Sequence, residues 1–127
     1  MKIRLHLGEI QRILKEYEPA CICIQHMNTP VQNIGIYILA VSSLPNYSSL
    51  GTAIYVHKKV TCDKIHNSKS LLQVSALRLH LPGNKITICN LYNQPNQNYD
   101  LKQLPSLLSK LQQPLLIVVD FNAHHPL

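Results

Sequence analysis

The feature that most constrains the fold is a pair of apolar segments joined by a turn. Residues 72–81 and 85–92 each have the length and composition of a β-strand, and Pro82, Gly83 and Asn84 lie between them. Glycine adopts the positive φ angle that a tight turn needs. The pattern therefore predicts an antiparallel β-hairpin, which any fold of this chain has to contain.

Other segments predict two helices and further strands. Residues 3–17 carry apolar side chains at spacings of three and four, which is typical of an amphipathic helix, and Pro19 ends it. Leucines in residues 100–111 predict a second helix that Asp100 caps and that Pro105 kinks or shifts. Short apolar runs predict the remaining strands, at residues 20–24, 34–41, 51–60 and 115–119.

The order of these elements predicts an α/β (α+β) protein. We expect a mixed, mostly antiparallel sheet with helices on one face, in which parallel crossovers bring the first and last strands beside the hairpin. The 127 residues fit one domain, and an apolar content of 46% with 14% charged residues excludes a disordered chain.

Acidic residues are scarce, and this limits the chemistry that the chain can perform. Twelve Lys or Arg and six Asp or Glu give a net charge of +6, and after Glu18 only Asp63, Asp100 and Asp120 remain. A mechanism that needs several converging carboxylates is nearly excluded. The longest apolar run, residues 34–41, is too short to cross a membrane. We expect an intracellular protein without a membrane partner, whose four cysteines are free and mostly buried thiols.

The most informative polar residues follow the last predicted strand. Asp120 and Asn122 come directly after the apolar residues 115–119, at a spacing of two. At the carboxyl end of a buried strand both side chains would point the same way, at the sheet edge where α/β proteins usually hold ligands. The pair suits a divalent metal, a water or a phosphate oxygen. Alternatively, Asp120 caps a turn, and the spacing favours neither interpretation.

Four segments resemble, in the right order, the motifs of one family. Residues 115–127 (LLIVVDFNAHHPL) resemble the GDFNAHHPLW signature of the endonuclease domain of jockey-like non-LTR retrotransposons, in the endonuclease/exonuclease/phosphatase superfamily. Residues 21–26 (CICIQH) resemble its ICLQE motif, residues 51–56 (GTAIYV) its GVAIYV strand, and residues 87–95 (TICNLYNQP) its strand ending in Tyr-x-x-Pro. Together the four motifs extend over nearly all of the chain.

The resemblance implies a Mg²⁺-dependent phosphodiesterase that nicks target DNA to prime reverse transcription, on a four-layer αββα sandwich of two sheets. In that family the Asp matching Asp120 orients catalytic groups, and the residues matching Asn122 and Tyr92 contact the scissile phosphate. Apart from the resemblance, the preferred interpretation of Tyr92 is an aromatic residue at a strand end that covers the core. The resemblance also implies target DNA as a partner, a polyprotein with a reverse transcriptase, and a nuclear location.

Departures from the family pattern weaken the expected metal site. His26 stands where the family has its metal-binding Glu, and Mg²⁺ prefers oxygen to imidazole nitrogen. Val119 replaces a glycine, and residues 1–127 correspond to the first half of the family's domain without its opening strand. Two hypotheses follow: a divalent-metal endonuclease domain that is inactive as this fragment alone, or a non-catalytic remnant of a mobile element that at most binds nucleic acid weakly.

The basic middle of the chain offers candidate DNA contacts. Lys58, Lys59 and Arg78 lie in a stretch with few acids, and such residues bind phosphates in a salt-dependent, sequence-independent way. The alternative is a solvated surface loop, since neither dense basic clusters nor interleaved aromatics are present.

Cysteine and histidine residues raise the further alternative of a zinc site. The residues concerned are Cys21, Cys23, His26, His124 and His125. A Cys-x-Cys pair on one strand lacks the usual ligand spacing, and adjacent histidines tend to point apart. We therefore predict buried thiols and surface imidazoles instead.

Overall fold

The computed structural model describes residues 7–27, 31–43, 51–65, 73–92 and 103–120. Within these ranges there are two helices, α1 (Leu7–Tyr17) and α2 (Gln103–Ser109). The strands are β1 (Cys21–Met27), β2 (Asn33–Ile34), β3 (Tyr37–Ser43), β4 (Gly51–His57), β5 (Thr61–Lys64), β6 (Gln73–Leu81), β7 (Asn84–Tyr92) and β8 (Leu115–Asp120).

The strands form two four-stranded sheets, each built from a continuous part of the sequence. The first has the antiparallel order β1-β4-β3-β2, and the second has the order β5-β6-β7-β8. The predicted hairpin is β6–β7, and Gly83 lies in its turn with a φ of 77°. The last strand lies parallel beside this hairpin, as predicted.

The first strand was expected beside the hairpin as well, and that expectation is wrong. Strand β1 pairs antiparallel with β4, in the other sheet, with Cys23 opposite Ile54. The reason is that β3 and β4 pair with each other and carry the chain back alongside β1 before the hairpin begins. No parallel crossover is needed to place β1.

Alternating side chains on the strands build the layers. On β4, Tyr55 packs with Leu14 of α1, whereas Ile54 faces the other way and packs with Leu77 of the second sheet. On the far side, leucines of α2 pack against Cys89 of β7. The layers therefore run α1, first sheet, second sheet, α2, and each sheet carries its helix on one face. This confirms the α+β class and the αββα sandwich.

Both helices are short. In α1 the buried Leu14 faces the sheet, while Tyr17 near its end is exposed. Helix α2 begins at Gln103, so Pro105 lies in its first turn, where the missing N–H costs no hydrogen bond. Neither described helix is long and apolar enough to span a membrane.

Strand β8 is less buried than its sequence indicates. Among the described strands it has a neighbour on one side only, β7. Leu116, Ile117 and Val119 are 50%, 39% and 37% exposed. The expectation of a buried strand is therefore wrong for the described part of the chain. An apolar run predicts a strand, but it does not say how many neighbours the strand has.

Candidate functional site at the polar end of the sandwich

Several strands begin or end at one end of the sandwich. Met27 at the end of β1 pairs with Gly51 at the start of β4. In the second sheet, Tyr92 at the end of β7 lies between Gln73 of β6 and Asp120 of β8. We call this region the polar end, since its described polar side chains are Gln25, Ser43, Thr52, Ser75 and Asn90.

Asn90 links the two sheets through a fully buried side chain. Its Nδ2 donates to the Ile24 carbonyl at 3.0 Å and to the Ala53 carbonyl at 3.1 Å, both in the first sheet. Gln25 Nε2 donates to Asn90 Oδ1 at 3.0 Å and to the Leu91 carbonyl at 2.9 Å. Every N–H of the two side-chain amides thus has an acceptor, so the buried polar groups are compensated and hold β1, β4 and β7 together.

A second polar bridge lies beside the first. Thr52 Oγ1 on β4 donates to Ser75 Oγ on β6 at 2.9 Å, and both residues are buried. Ser43 Oγ lies 2.7 Å from Thr52 Oγ1 and accepts from the Thr52 backbone N–H at 3.1 Å. Because Thr52 Oγ1 donates to Ser75, Ser43 is the donor in the 2.7 Å contact.

Tyr92 and Asp120 lie next to each other in parallel register at this end. Tyr92 shares a face of β7 with Asn90, toward the first sheet, and is 1% exposed. Its ring is therefore part of the core at the polar end. The backbone of Asp120 lies at the polar end because its residue pairs with Tyr92 in the register of β7 and β8. Asn122, the third predicted catalytic residue, lies outside the described residues, as do His124 and His125.

His26 also reaches this end, through an irregular part of β1. The pairing of β1 with β4 shifts register between Ile24 and Met27, a β-bulge or similar irregularity. Bulges re-aim side chains and are common beside functional sites. The sequence motif predicted the position of His26 but not this irregularity.

Lys58 and Lys59 do not belong to the polar end. They follow β4 at its other end, where Lys58 N–H donates to the Ile36 carbonyl at 3.0 Å. With a rise of about 3.3 Å per residue, Lys58 lies roughly 20 Å from Thr52 along the strand. The two lysines are exposed, but the structure does not bring them to the predicted catalytic residues.

Arg78 is used within the fold. It lies on β6 and donates to Thr87 Oγ1 at 2.6 Å, to the Gln113 carbonyl at 3.2 Å and to the Gln112 carbonyl at 3.4 Å. The guanidinium thereby holds the segment before β8 against the second sheet. This is a structural contact, on the face of the sheet that carries α2 rather than on the polar end.

The described donors do not fit the implied Mg²⁺ site. Mg²⁺ is held mainly through carboxylate oxygens, whereas the described side chains of the polar end are neutral amides and hydroxyls. Across the described parts of the chain, no three His, Cys, Asp or Glu side chains come together. The four cysteines are free, as predicted, but the expectation that most of them are buried is wrong: only Cys89 is buried, and the other three are half-buried. Burial raises the pKa of the Cys89 thiol to about 11.

Sequence reasoning missed the residues that organise this end. Gln25, Thr52, Ser75 and Asn90 look like the solvent-facing positions of alternating strands. The available signal was that Asn90 follows Ile88 at a spacing of two, on a face that is apolar elsewhere. A polar residue on an apolar face needs a partner, and here that partner is in the other sheet.

Comparison with known proteins gives matches among solved structures. No protein-family model and no curated protein matches the chain. TDP2 of D. rerio, complexed with a single-strand DNA product, matches with a TM-score of 0.64 and 14% identity, over 98% of this chain and 56% of that one. TDP2 from Caenorhabditis elegans matches with a TM-score of 0.59 and 17% identity, over 94% of this chain and 42% of that one.

A truncated C. elegans TDP2 matches with a TM-score of 0.55 and 14% identity, over 94% of this chain and 56% of that one. The chain thus spans about half the length of the TDP2 structures that it matches. At such identities the likeness shows the fold alone. That fold is a sandwich of two mostly antiparallel four-stranded sheets with a helix on each outer face.

Proposed function

We propose that this chain is a DNA-binding domain related to the Mg²⁺-dependent endonuclease domain of non-LTR retrotransposons, and that it contacts DNA at the polar end. One observation carries the proposal. The four sequence segments that resemble the family are far apart in the chain, yet His26, Gly51, Tyr92 and Asp120, one from each segment, all lie at this end. Such convergence is what a shared binding site requires.

The fold and the charge support DNA as the ligand. The fold is shared with TDP2, a tyrosyl-DNA phosphodiesterase, whose D. rerio form was solved with a single-strand DNA product. The net charge of +6 favours a polyanion at low salt. By the resemblance, the wider setting is a retrotransposon polyprotein with a reverse transcriptase, acting in the nucleus.

We propose further that this chain binds DNA without cleaving it above background. His26 occupies the position of the family's metal-binding Glu, and the described groups around it are neutral. The second candidate is an active metal-dependent endonuclease. It is favoured by the parallel register in which Tyr92 and Asp120, the positions that match two site residues of the family, are neighbours.

The test combines binding and nicking. Binding of a short fluorescent single-stranded oligonucleotide is titrated at low and at moderate salt, and supercoiled plasmid is incubated with the protein in Mg²⁺ or Mn²⁺. Asp120→Ala is compared with Asp63→Ala, which makes the same charge change on the exposed strand β5. We expect salt-sensitive binding and no nicking by any of the three proteins.

Metal-dependent nicking that Asp120→Ala abolishes and Asp63→Ala preserves would establish the second candidate. If the wild-type protein does not bind DNA even at low salt, the proposed function is wrong.

A further inference from the structure

The Gln25–Asn90 pair admits one arrangement of its two amide groups. Asn90 faces two backbone carbonyls, those of Ile24 and Ala53, and only its N–H₂ group can donate to both. Its oxygen must therefore face Gln25. Gln25 in turn must present its N–H₂ group, which also meets the Leu91 carbonyl. Rotating either amide by half a turn would set oxygen against oxygen.

This arrangement joins three strands at the point where the family motifs meet. Gln25 precedes His26 on β1, and Asn90 lies two residues before Tyr92 on β7. The Ala53 carbonyl adds β4, one residue after Thr52. Because the bonds are directional, they fix the relative position of the strand ends, which the apolar contacts between the sheets do not.

We propose that the Gln25–Asn90 pair is the positioning unit of the polar end, which keeps the ends of β1 and β7 at the one separation at which the polar end binds DNA. The proposal rests on the proposed function, since the ligand is the same DNA. It adds a role for two residues that contact neither metal nor substrate. If the pair only stabilised the fold, its loss would raise amide exchange evenly over both sheets and not mainly at the ends of β1 and β7.

The test uses Gln25→Glu, which replaces the N–H₂ group by oxygen and leaves the shape of the side chain unchanged. The carboxylate faces Asn90 Oδ1 and the Leu91 carbonyl without a donor. Tyr37→Phe is the matched control. It removes the hydrogen bond from Tyr37 Oη to the Pro19 carbonyl, 2.7 Å long, at the opposite end of the sandwich.

The first measurement is amide hydrogen exchange, read residue by residue by NMR without DNA. We expect exchange in Gln25→Glu to rise about tenfold or more at the ends of β1 and β7 and to stay near wild type at the start of β3. Tyr37→Phe should show the reverse pattern. An even rise over both sheets, or no rise at all, would overturn the positioning role.

The second measurement is the affinity for single-stranded oligonucleotide, with each protein shown to be folded by circular dichroism. We expect Gln25→Glu to bind about tenfold more weakly than Gln32→Glu, which makes the same charge change at an exposed position beside the edge strand β2, and with the same salt slope. Equal affinity in these two variants would contradict the proposal.

Two controls keep the outcome decisive. If Gln25→Glu does not fold, Gln25→Met removes the same donors without adding a charge, and the same local exchange pattern is expected. If the wild-type protein binds no DNA, the proposed function fails, and exchange alone then decides whether the pair positions the strand ends.

Discussion

The two ends of the layer between the sheets are built in different ways. At the polar end, the sheets meet through Gln25 with Asn90 and through Thr52 with Ser75. At the opposite end, they meet through apolar side chains such as those of Val56, Leu79 and Ile86. Apolar contact stabilises without direction, whereas hydrogen bonds stabilise only at one geometry. The apolar end therefore contributes mainly to the free energy of unfolding, whereas the hydrogen bonds of the polar end also fix where the strand ends lie relative to one another.

Asn90→Asp is expected to have the largest effect and tests the polar end directly. The new oxygen would face the Ile24 and Ala53 carbonyls in a buried site, with no donor to either. We expect a loss of about 4 kcal/mol in the free energy of unfolding, measured by urea denaturation. A loss below about 1 kcal/mol would show that the polar end is open to water and not a buried bridge.

Leu77→Ala tests the apolar part of the layer. Leu77 is fully buried between the sheets with Ile54 and Ile88. We expect a loss of about 3 kcal/mol in the free energy of unfolding, since the lost contacts leave a cavity. Hydrogen exchange should rise evenly over both sheets. Loosening confined to the polar end would contradict the division of roles.

Alkaline pH tests the apolar layers without a mutation. Burial raises the pKa of Cys89, packed near α2, from 9.0 to about 11, and it also raises the pKa values of Tyr37 and Tyr55. The unfolded chain then loses protons from these groups first, so they leave the free energy of unfolding unchanged below about pH 9 and lower it as the pH rises toward 11.

We expect Cys89 to account for up to about 2 kcal/mol of this fall, measured as urea midpoints at increasing pH. Cys89→Ala, although less stable at neutral pH, should show a flatter decline. The Gln25–Asn90 and Thr52–Ser75 bridges contain no titrating group, so exchange at the polar end should not rise ahead of the rest. A rise in hydrogen exchange confined to the polar end would contradict the difference drawn between the two ends of the layer.

Thr52→Val measures the second polar bridge. Valine keeps the shape of the side chain and removes its contacts with Ser75 and Ser43. We expect a loss of about 1 kcal/mol in the free energy of unfolding. Thr61→Val, on an exposed position of β5, is the matched control and should change stability by less than about 0.5 kcal/mol. Equal losses in the two variants would show that the Thr52–Ser75 bridge does not stabilise the fold.

Lys58→Ala should have the smallest effect. Lys58 lies at the end of the sandwich opposite the proposed DNA contact. We therefore expect the slope of log affinity against log salt for single-stranded oligonucleotide to change by well under one. A decrease of about one would mean that Lys58 contacts a phosphate. The DNA would then bind near the end of the sandwich opposite the polar end.

Local signals predicted the elements, and non-local pairing decided the rest. The hairpin was predictable because Gly83 and the two flanking runs are neighbours in sequence. The partner of β1 was not, since its apolar run would fit either sheet and β4 is chosen by the path of the intervening chain. The exposure of Leu116 escaped prediction for the same reason.

The candidate site was predictable only where a motif named it. The resemblance indicated Tyr92 and Asp120, and the register of β7 with β8 places them side by side. Asn90 was missed because a single polar residue in a strand gives no indication of the strand it faces. Lys58 and Arg78 were grouped by their charge, although one is at the far end and the other is held by backbone carbonyls.

The building of each sheet from one uninterrupted stretch of sequence has a consequence for assembly. Residues 21–57 supply the first sheet and residues 61–120 the second, so residues 58–60 are the connection between the two sheets. Asn90 belongs to the second stretch and donates to the Ile24 and Ala53 carbonyls of the first, so its side chain is shielded from water only where the two sheets are in contact.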